Sequence, residues 1–401
     1  MNKMVSELSK PFHFVLGILI IVALFTGCTD EKTAEDHGII KEDGKVINPD
    51  RGIYQDEELP IEFDLVDTID LSLIDEPLIS SIGFLSLDDS DNLYFFDRQL
   101  MMLISVDQNG NLRWATGQEG KGPGDFETVL GMALHNERIY ISNIMGSRLD
   151  EFDMDGNFIR SYNMPSELQF AGLAGIKDNG EFVTSSAKFG TIGTDVAILE
   201  LSSDSLNITN QFSIIESQDD DFLRATSRGS LTLKDDQLAY SFSLSNGHRF
   251  YDYDSTMTME VTRAFEGALG PGVYASGNSV SMYSLGSVGS PIFLDDGSYL
   301  INVRFPVNIS DPNEYARKAS TGETEDPIYE EFIDIYNANH ELLYVYDNTE
   351  EIEALGALNI RDSEGLYYST FSNDLLIKKF RVGLKAEYFG SESENPVIPI
   401  D

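Results

Sequence analysis

Short runs of alternating apolar and polar residues, broken at close intervals by Gly, Asn and Asp, fill most of this chain. The alternation is clearest in two consecutive stretches, Phe84 to Thr116 and Gly131 to Tyr162, and has the same layout in both. An apolar strand leads into a polar turn (Asp88 to Asn92; His135 to Arg138). A second strand rich in aromatic and β-branched residues follows (Leu93 to Phe96; Ile139 to Ser142). After a polar connection comes a third strand ending on Asp107 or Asp153, and a turn containing Asn109-Gly110-Asn111 or Asp155-Gly156-Asn157 opens a fourth. Period-2 alternation marks strands, and Gly and Asn accept the positive φ angles of tight hairpins. Four short antiparallel strands recurring every ~40–50 residues are the signature of a β-propeller blade.

Weaker copies continue from Leu173 to Phe212, Gly229 to Phe265, Pro291 to Tyr346 and Leu355 to Val382. Aligned on their second strands, the copies superpose Leu93, Ile139, Phe182, Leu238, Tyr299 and Leu366, which predicts six blades. The last copy lacks a fourth strand. Ile61 to Leu71, IEFDLVDTIDL, alternates as a half-buried strand should and is expected to supply it, closing the ring. The expected fold class is all-β: a six-bladed propeller of four-stranded antiparallel blades over residues 61–390, with a tail at 391–401. Val307 to Glu330 interrupts the fifth copy between its second and third strands; it is too long for a simple connection and is expected to shape the rim around the central opening. Gly117 to Phe126 and Glu266 to Tyr274 each carry Gly-Pro-Gly after an outermost strand and read as blade-to-blade crossovers.

Composition adds two points. Hydrophobic residues make up 41% of the 401 and aromatics 11%, enough to fill the spaces between blades. The formal net charge of −41, from 27 Lys and Arg against 68 Asp and Glu, repels phosphate backbones and excludes nucleic acid as a partner. Part of the acidity caps hairpin turns. The remainder solvates the surface, binds calcium or draws a basic partner.

Ahead of the repeats, Lys3 and Lys10 flank the start of an apolar run, Phe12 to Leu24. Its length suits a secretory signal and is short for a spanning helix of about 20 residues. Phe25-Thr26-Gly27-Cys28 follows, with the one cysteine of the chain. This resembles the lipobox of bacterial lipoproteins, with Phe25 where Leu is commonest. The resemblance implies that residues 1–27 are a signal peptide and that lipidated Cys28 anchors the protein in a membrane. Residues 28–60 are acidic and aromatic-poor, and are expected to form a flexible tether. Asp30 and Glu31 resemble signals that route lipoproteins outward. The expected location is therefore the bacterial cell envelope, as an outer membrane lipoprotein on its periplasmic or surface-exposed side.

Asn92-Leu93-Tyr94 with Asp97, and Val106-Asp107 with Gly110, match the NHL-type blade pattern. Ile139-Tyr140, Phe152-Asp153 and Gly156 match it again, with Asn143 replacing an Asp. Together with the lipobox and GKGPGDF, the mature chain resembles the six-bladed β-propeller lipoproteins of the TolB-like superfamily. That resemblance implies a fold and leaves the activity open. Related propellers include lactonases and lyases that use calcium or zinc near the central channel. In a propeller, the second-to-third-strand connections and the crossovers share the face that commonly carries sites. Of the five histidines only His248 falls there, too few for zinc. Calcium takes six to eight oxygens, and Asp97 and Asn143 offer them at equivalent positions, with Asp254 at the far end of a third strand, although a structural role in a blade turn is the more frequent one for such residues. The expected ligand contacts are Asp97, Arg98, Asn143 and His248. No catalytic residue is assigned, and calcium is the one cofactor left open. The leading function is a membrane-anchored module that binds an envelope protein, peptide or glycan. The alternative is a calcium-assisted lyase or lactonase-type hydrolase at the channel mouth.

Overall fold

The computed structural model describes residues 37–385, apart from 59, 144, 146, 169–170, 188–193, 204, 215–228, 235–236, 243–246, 265–271, 277–278, 284, 324–325 and 363. Cys28, the signal segment, the 391–401 tail and most of the second Gly-Pro-Gly loop lie outside the described residues.

Six antiparallel blades follow one another along the chain. Blade 1 comprises Gly83–Leu87, Leu93–Asp97, Met102–Val106 and Leu112–Thr116, and blade 2 Val129–His135, Arg138–Asn143, Arg148–Asp153 and Phe158–Asn163. Blade 3 comprises Ala171–Ile176, Phe182–Ala187, Thr194–Leu201 and Leu206–Ser213, and blade 4 Gly229–Lys234, Gln237–Phe242, Gly247–Asp252 and Met257–Arg263. In blade 5 the inner strand is split into Ser287–Val288 and Ile292–Phe293, both paired with Tyr299–Pro306; Tyr329–Tyr336 and Leu342–Tyr346 complete it. Blade 6 takes Ala357–Arg361, Leu366–Phe371 and Leu376–Leu384 from the end of the chain. Its fourth strand is Ile61–Asp70, with Ile61 opposite Leu384 and Asp70 opposite Leu376. The N-terminal strand thus closes the ring, as its alternation predicts.

Acidic side chains build the turns. Asp88, Asp107, Asp153 and Asp362 each accept from the backbone N–H groups two and four residues on, at 2.8–3.0 Å. The Tyr94 and Tyr368 hydroxyls donate to Asp88 and Asp362 respectively. This equivalence corrects the alignment in blade 6: Tyr367, fully packed, and not Leu366, corresponds to Leu93.

Because each blade faces a neighbour on both sides, successive residues of a central strand are buried in opposite directions. Leu93 and Phe95 pack with Tyr368 and Ile377 of blade 6. Tyr94 and Phe96 pack with Phe126, Ile139 and Phe152 toward blade 2. Near the axis, Gly131 and Gly172 let the inner strands of blades 2 and 3 meet backbone to backbone; a Cβ on Gly131 would lie 2.1 Å from Leu173 O.

The tether expectation is corrected over residues 39–58, which form an ordered belt around the outer edge. Ile40–Glu42 and Lys45–Asn48 make a hairpin, with Gly44 at φ +70°, and its second strand pairs in parallel with Met257–Arg263 of blade 4. Buried Asn48 accepts from Leu342 N (2.8 Å) and donates to His340 O (3.0 Å). Ile53 N and Tyr54 N donate to Leu342 O and Leu343 O of blade 5, and the Gln55 amide pairs with the backbone of Val345. Ile39, Val46, Ile53 and Ile61 share one apolar cluster with Ile335, Leu343 and Tyr346. The belt covers the edge strands of blades 4 and 5, which would otherwise offer unpaired backbone. Its apolar residues are ordered by partners more than two hundred positions away, which local composition does not reveal.

Among the described residues two short α-helices lie in connections: α1 (Pro312–Thr321) in the blade 5 insertion and α2 (Thr349–Leu355) between blades 5 and 6. Among the described residues no helix is long and apolar enough to cross a membrane.

Candidate functional site

The face carrying the second-to-third-strand connections and the crossovers is the candidate site. Asp97 ends the second strand of blade 1 there, fully buried. Its carboxylate accepts from the N–H and hydroxyl groups of Ser80 and Ser81 and from Gln99 N and Leu100 N, at 2.7–3.1 Å. Burial opposes its charge, but the bonds from Ser80, Leu100 and Ser81 outweigh it and hold the carboxyl below its ordinary range. Asn143 occupies the same place in blade 2. Its Oδ1 accepts from Glu127 N (3.2 Å) and Thr128 N (3.4 Å), and its Nδ2 donates to Asp125 O (3.1 Å) and Asp150 Oδ2 (3.3 Å). Both side chains staple the crossover entering a blade to the second strand of that blade. Calcium would need converging oxygens, whereas Asp97 is ringed by hydrogen-bond donors, so this set does not fit the ion. Among the described residues no group of three or more His, Cys, Asp or Glu is placed to hold a metal. Asp254 lies apart in a hairpin turn, accepting from Thr256 N (2.9 Å).

The Gly117 to Phe126 crossover is packed around Phe126, whose ring lies 5.0 Å from Phe96 and 5.8 Å from Phe152. Arg148 clamps it, donating to Asp125 O (2.7 Å) and Gly122 O (3.3 Å) while paired with buried Asp150. Arg98 stays exposed on the face, its guanidinium 4.7 Å from the Phe84 ring centroid.

His248 is a correction. Instead of facing a ligand it is 3% exposed in the seam between blades 4 and 5, ringed by Phe250, Tyr299 and Tyr336. Strand alternation turns it toward the aromatic side of blade 5. Its Nε2 lies 2.9 Å from Tyr299 Oη, which lies 3.1 Å from His340 Nδ1. In the same seam the Arg263 guanidinium bridges Asp334 (2.6 Å) and Asp50 O (2.8 Å), joining blade 4, blade 5 and the belt.

The insertion builds an annex on the candidate face. Asp311 caps α1, accepting from Asn313 N and Glu314 N; Pro312 opens the helix and Gly322, at φ +74°, ends it. The helix docks on the hairpin of Gly272–Ser276 and Ser279–Tyr283, which lies in the crossover between blades 4 and 5. Asn313 Oδ1 accepts from Val273 N (2.9 Å), Tyr315 meets Tyr283 edge-on, and a Cβ on Gly272 would lie 2.1 Å from Pro312 O. Leu73, Leu78, Met145, Val307 and Ile328 are exposed on connections of this face.

Residues 36–267, more than half of the chain, match the family model DUF5128, described as a 6-bladed beta-propeller. The chain belongs to the DUF5128 family. No curated protein matches it. Among solved structures, a candidate exported protein of Bacteroides fragilis is 13% identical with a TM-score of 0.52, over 85% of this chain and 99% of that one. A DUF4221 family member of Bacteroides vulgatus is 12% identical with a TM-score of 0.48, over 81% and 99% of the two chains. At such identity the B. fragilis likeness is one of fold.

For this DUF5128 propeller the family fixes the architecture and leaves the ligand open. The insertion itself was legible in the sequence, but its helix α1 was not, although Asp311-Pro312 and Gly322 bracket it with start and stop signals.

Proposed function

We propose that the protein is a membrane-anchored, extracytoplasmic binding module that presents the candidate face to a protein, peptide or glycan. One contrast carries the reading. Asp97, Asn143 and His248 commit their polar atoms to the propeller itself. The annex and the exposed Leu73, Leu78, Met145, Val307 and Ile328 offer shape and apolar area, the usual material of a recognition surface. The anchor rests on Phe25-Thr26-Gly27-Cys28 and the location on the apolar run before it; the fold likeness to a candidate exported protein supports the extracytoplasmic location alone. The donor set around Asp97 gives the calcium-assisted lyase alternative no support.

Immobilised residues 28–401, challenged with envelope extract, are expected to retain a macromolecule that a Val307→Asp, Ile328→Asp variant of equal thermal stability releases. Turnover of a lactone or peptide substrate with nothing retained overturns the reading.

A further inference from the structure

The belt begins at the rim where blades 4 and 5 meet. Ile39 is buried there with Leu343, and Lys41 pairs with Glu341 at 2.6 Å. Only nine residue steps, 37 − 28, separate His37 from Cys28. Fully extended they span at most about 32 Å. A tether running on to Pro60 would average about 31 Å and reach beyond roughly 100 Å. A folded chain of this size is roughly 50 Å across. The short leash therefore distinguishes one rim from its opposite, and the long one would not.

We infer that the belt sets how the propeller stands at the membrane: the rim of blades 4 and 5 is held toward the bilayer and the rim of blades 1 and 2, diametrically opposite in a six-bladed ring, points away. The inference rests on the lipid anchor proposed above. Lys41, Lys45 and Arg51 of the belt are each ion-paired, with Glu341, Glu260 and Asp56. The covalent leash sets the orientation, and attraction to anionic headgroups does not. The annex belongs to this same sector, since its hairpin lies in the crossover from blade 4 to blade 5 and α1 in the blade 5 insertion. The partner that the annex meets is consequently a macromolecule itself seated at the membrane surface, an integral or lipid-anchored protein.

Energy transfer to a headgroup-labelled lipid tests this on the lipidated full-length protein in vesicles. Lipidation consumes the one native cysteine, so a dye on Asn339→Cys (blade 5 turn) or Asp155→Cys (blade 2 turn), both exposed positions, is unique. Transfer from position 339 should exceed that from 155 by roughly threefold for rims about 50 Å apart. Inserting about twenty Gly and Ser residues between Asp36 and His37, which leaves the fold untouched, should erase the difference. Equal transfer from both positions with the native leash overturns the inference while leaving the anchor standing. Labelled fatty acid that fails to enter the protein, or a processed Cys28→Ser variant that stays in the membrane fraction, overturns the anchor and the inference together.

Discussion

His248 Nε2 and Tyr299 Oη face each other at 2.9 Å inside the seam of blades 4 and 5. The same hydroxyl reaches His340 Nδ1 at 3.1 Å. Burial, and the charge of His340, push His248 down to about 3; burial, with Lys234 and Lys41 nearby, pushes His340 down to about 4. Because both folded values lie below the unfolded value near 6.5, the unfolded chain takes up these protons first. The stabilisation is complete above the unfolded value and is lost as the pH falls toward the folded ones. Stability should drop by on the order of 2 kcal/mol per pH unit between about pH 6 and 4. Urea unfolding at stepped pH checks this, and His248→Phe should roughly halve the slope.

Asp97 satisfies four backbone N–H groups and two hydroxyls. Asp97→Ala leaves those donors unpaired and should cost about 3 kcal/mol. Asp97→Asn should cost nearly as much, since its amide hydrogens would face other donors. The denaturation midpoints give both values. Millimolar calcium or a chelator should leave the wild-type melting temperature unchanged, and a calcium-dependent rise abolished by Asp97→Asn would restore the metal reading.

Gly131→Ala drives a methyl into Leu173 O at 2.1 Å. The backbones of blades 2 and 3 cannot part without opening the inner ring, so a loss of about 2–3 kcal/mol is expected in chemical unfolding. The m-value should not change.

Deleting everything before Ile61 keeps the closing strand and strips the belt. The truncated chain should fold with the same β-sheet circular dichroism and a lower melting temperature. It should also self-associate in light scattering, because the edges of blades 4 and 5 are bared. A monomer with wild-type stability would show that the belt contributes nothing.

The six blades and the closing strand were legible in the sequence because their signals are local. Period-2 alternation and Asp-x-x-x-Asn turns such as Asp107 to Asn111 need no distant partner. The belt was not, since Val46 gains its order from Val261 across the fold. Even so, Asp43-Gly44 between Ile39-Ile40 and Val46-Ile47 is a hairpin signal that composition overshadowed. Asp97 and Asn143 were legible as equivalent strand ends, with a structural and a ligand-holding role both open: residue type cannot tell a carboxylate that meets six donors from one awaiting a ligand. His248 was misplaced because the turn of a third-strand side chain toward blade 5 depends on how the blades pack.

The central claim, a recognition surface on the annex side of the ring, is tested most directly by photo-crosslinking in the intact envelope. A photoreactive residue at Val307 or Ile328, both exposed in the blade 5 insertion, should yield a discrete adduct, and one at exposed Met257, beside a turn of the opposite face, should yield none. Adducts from Met257 with none from Val307 or Ile328 would contradict the account.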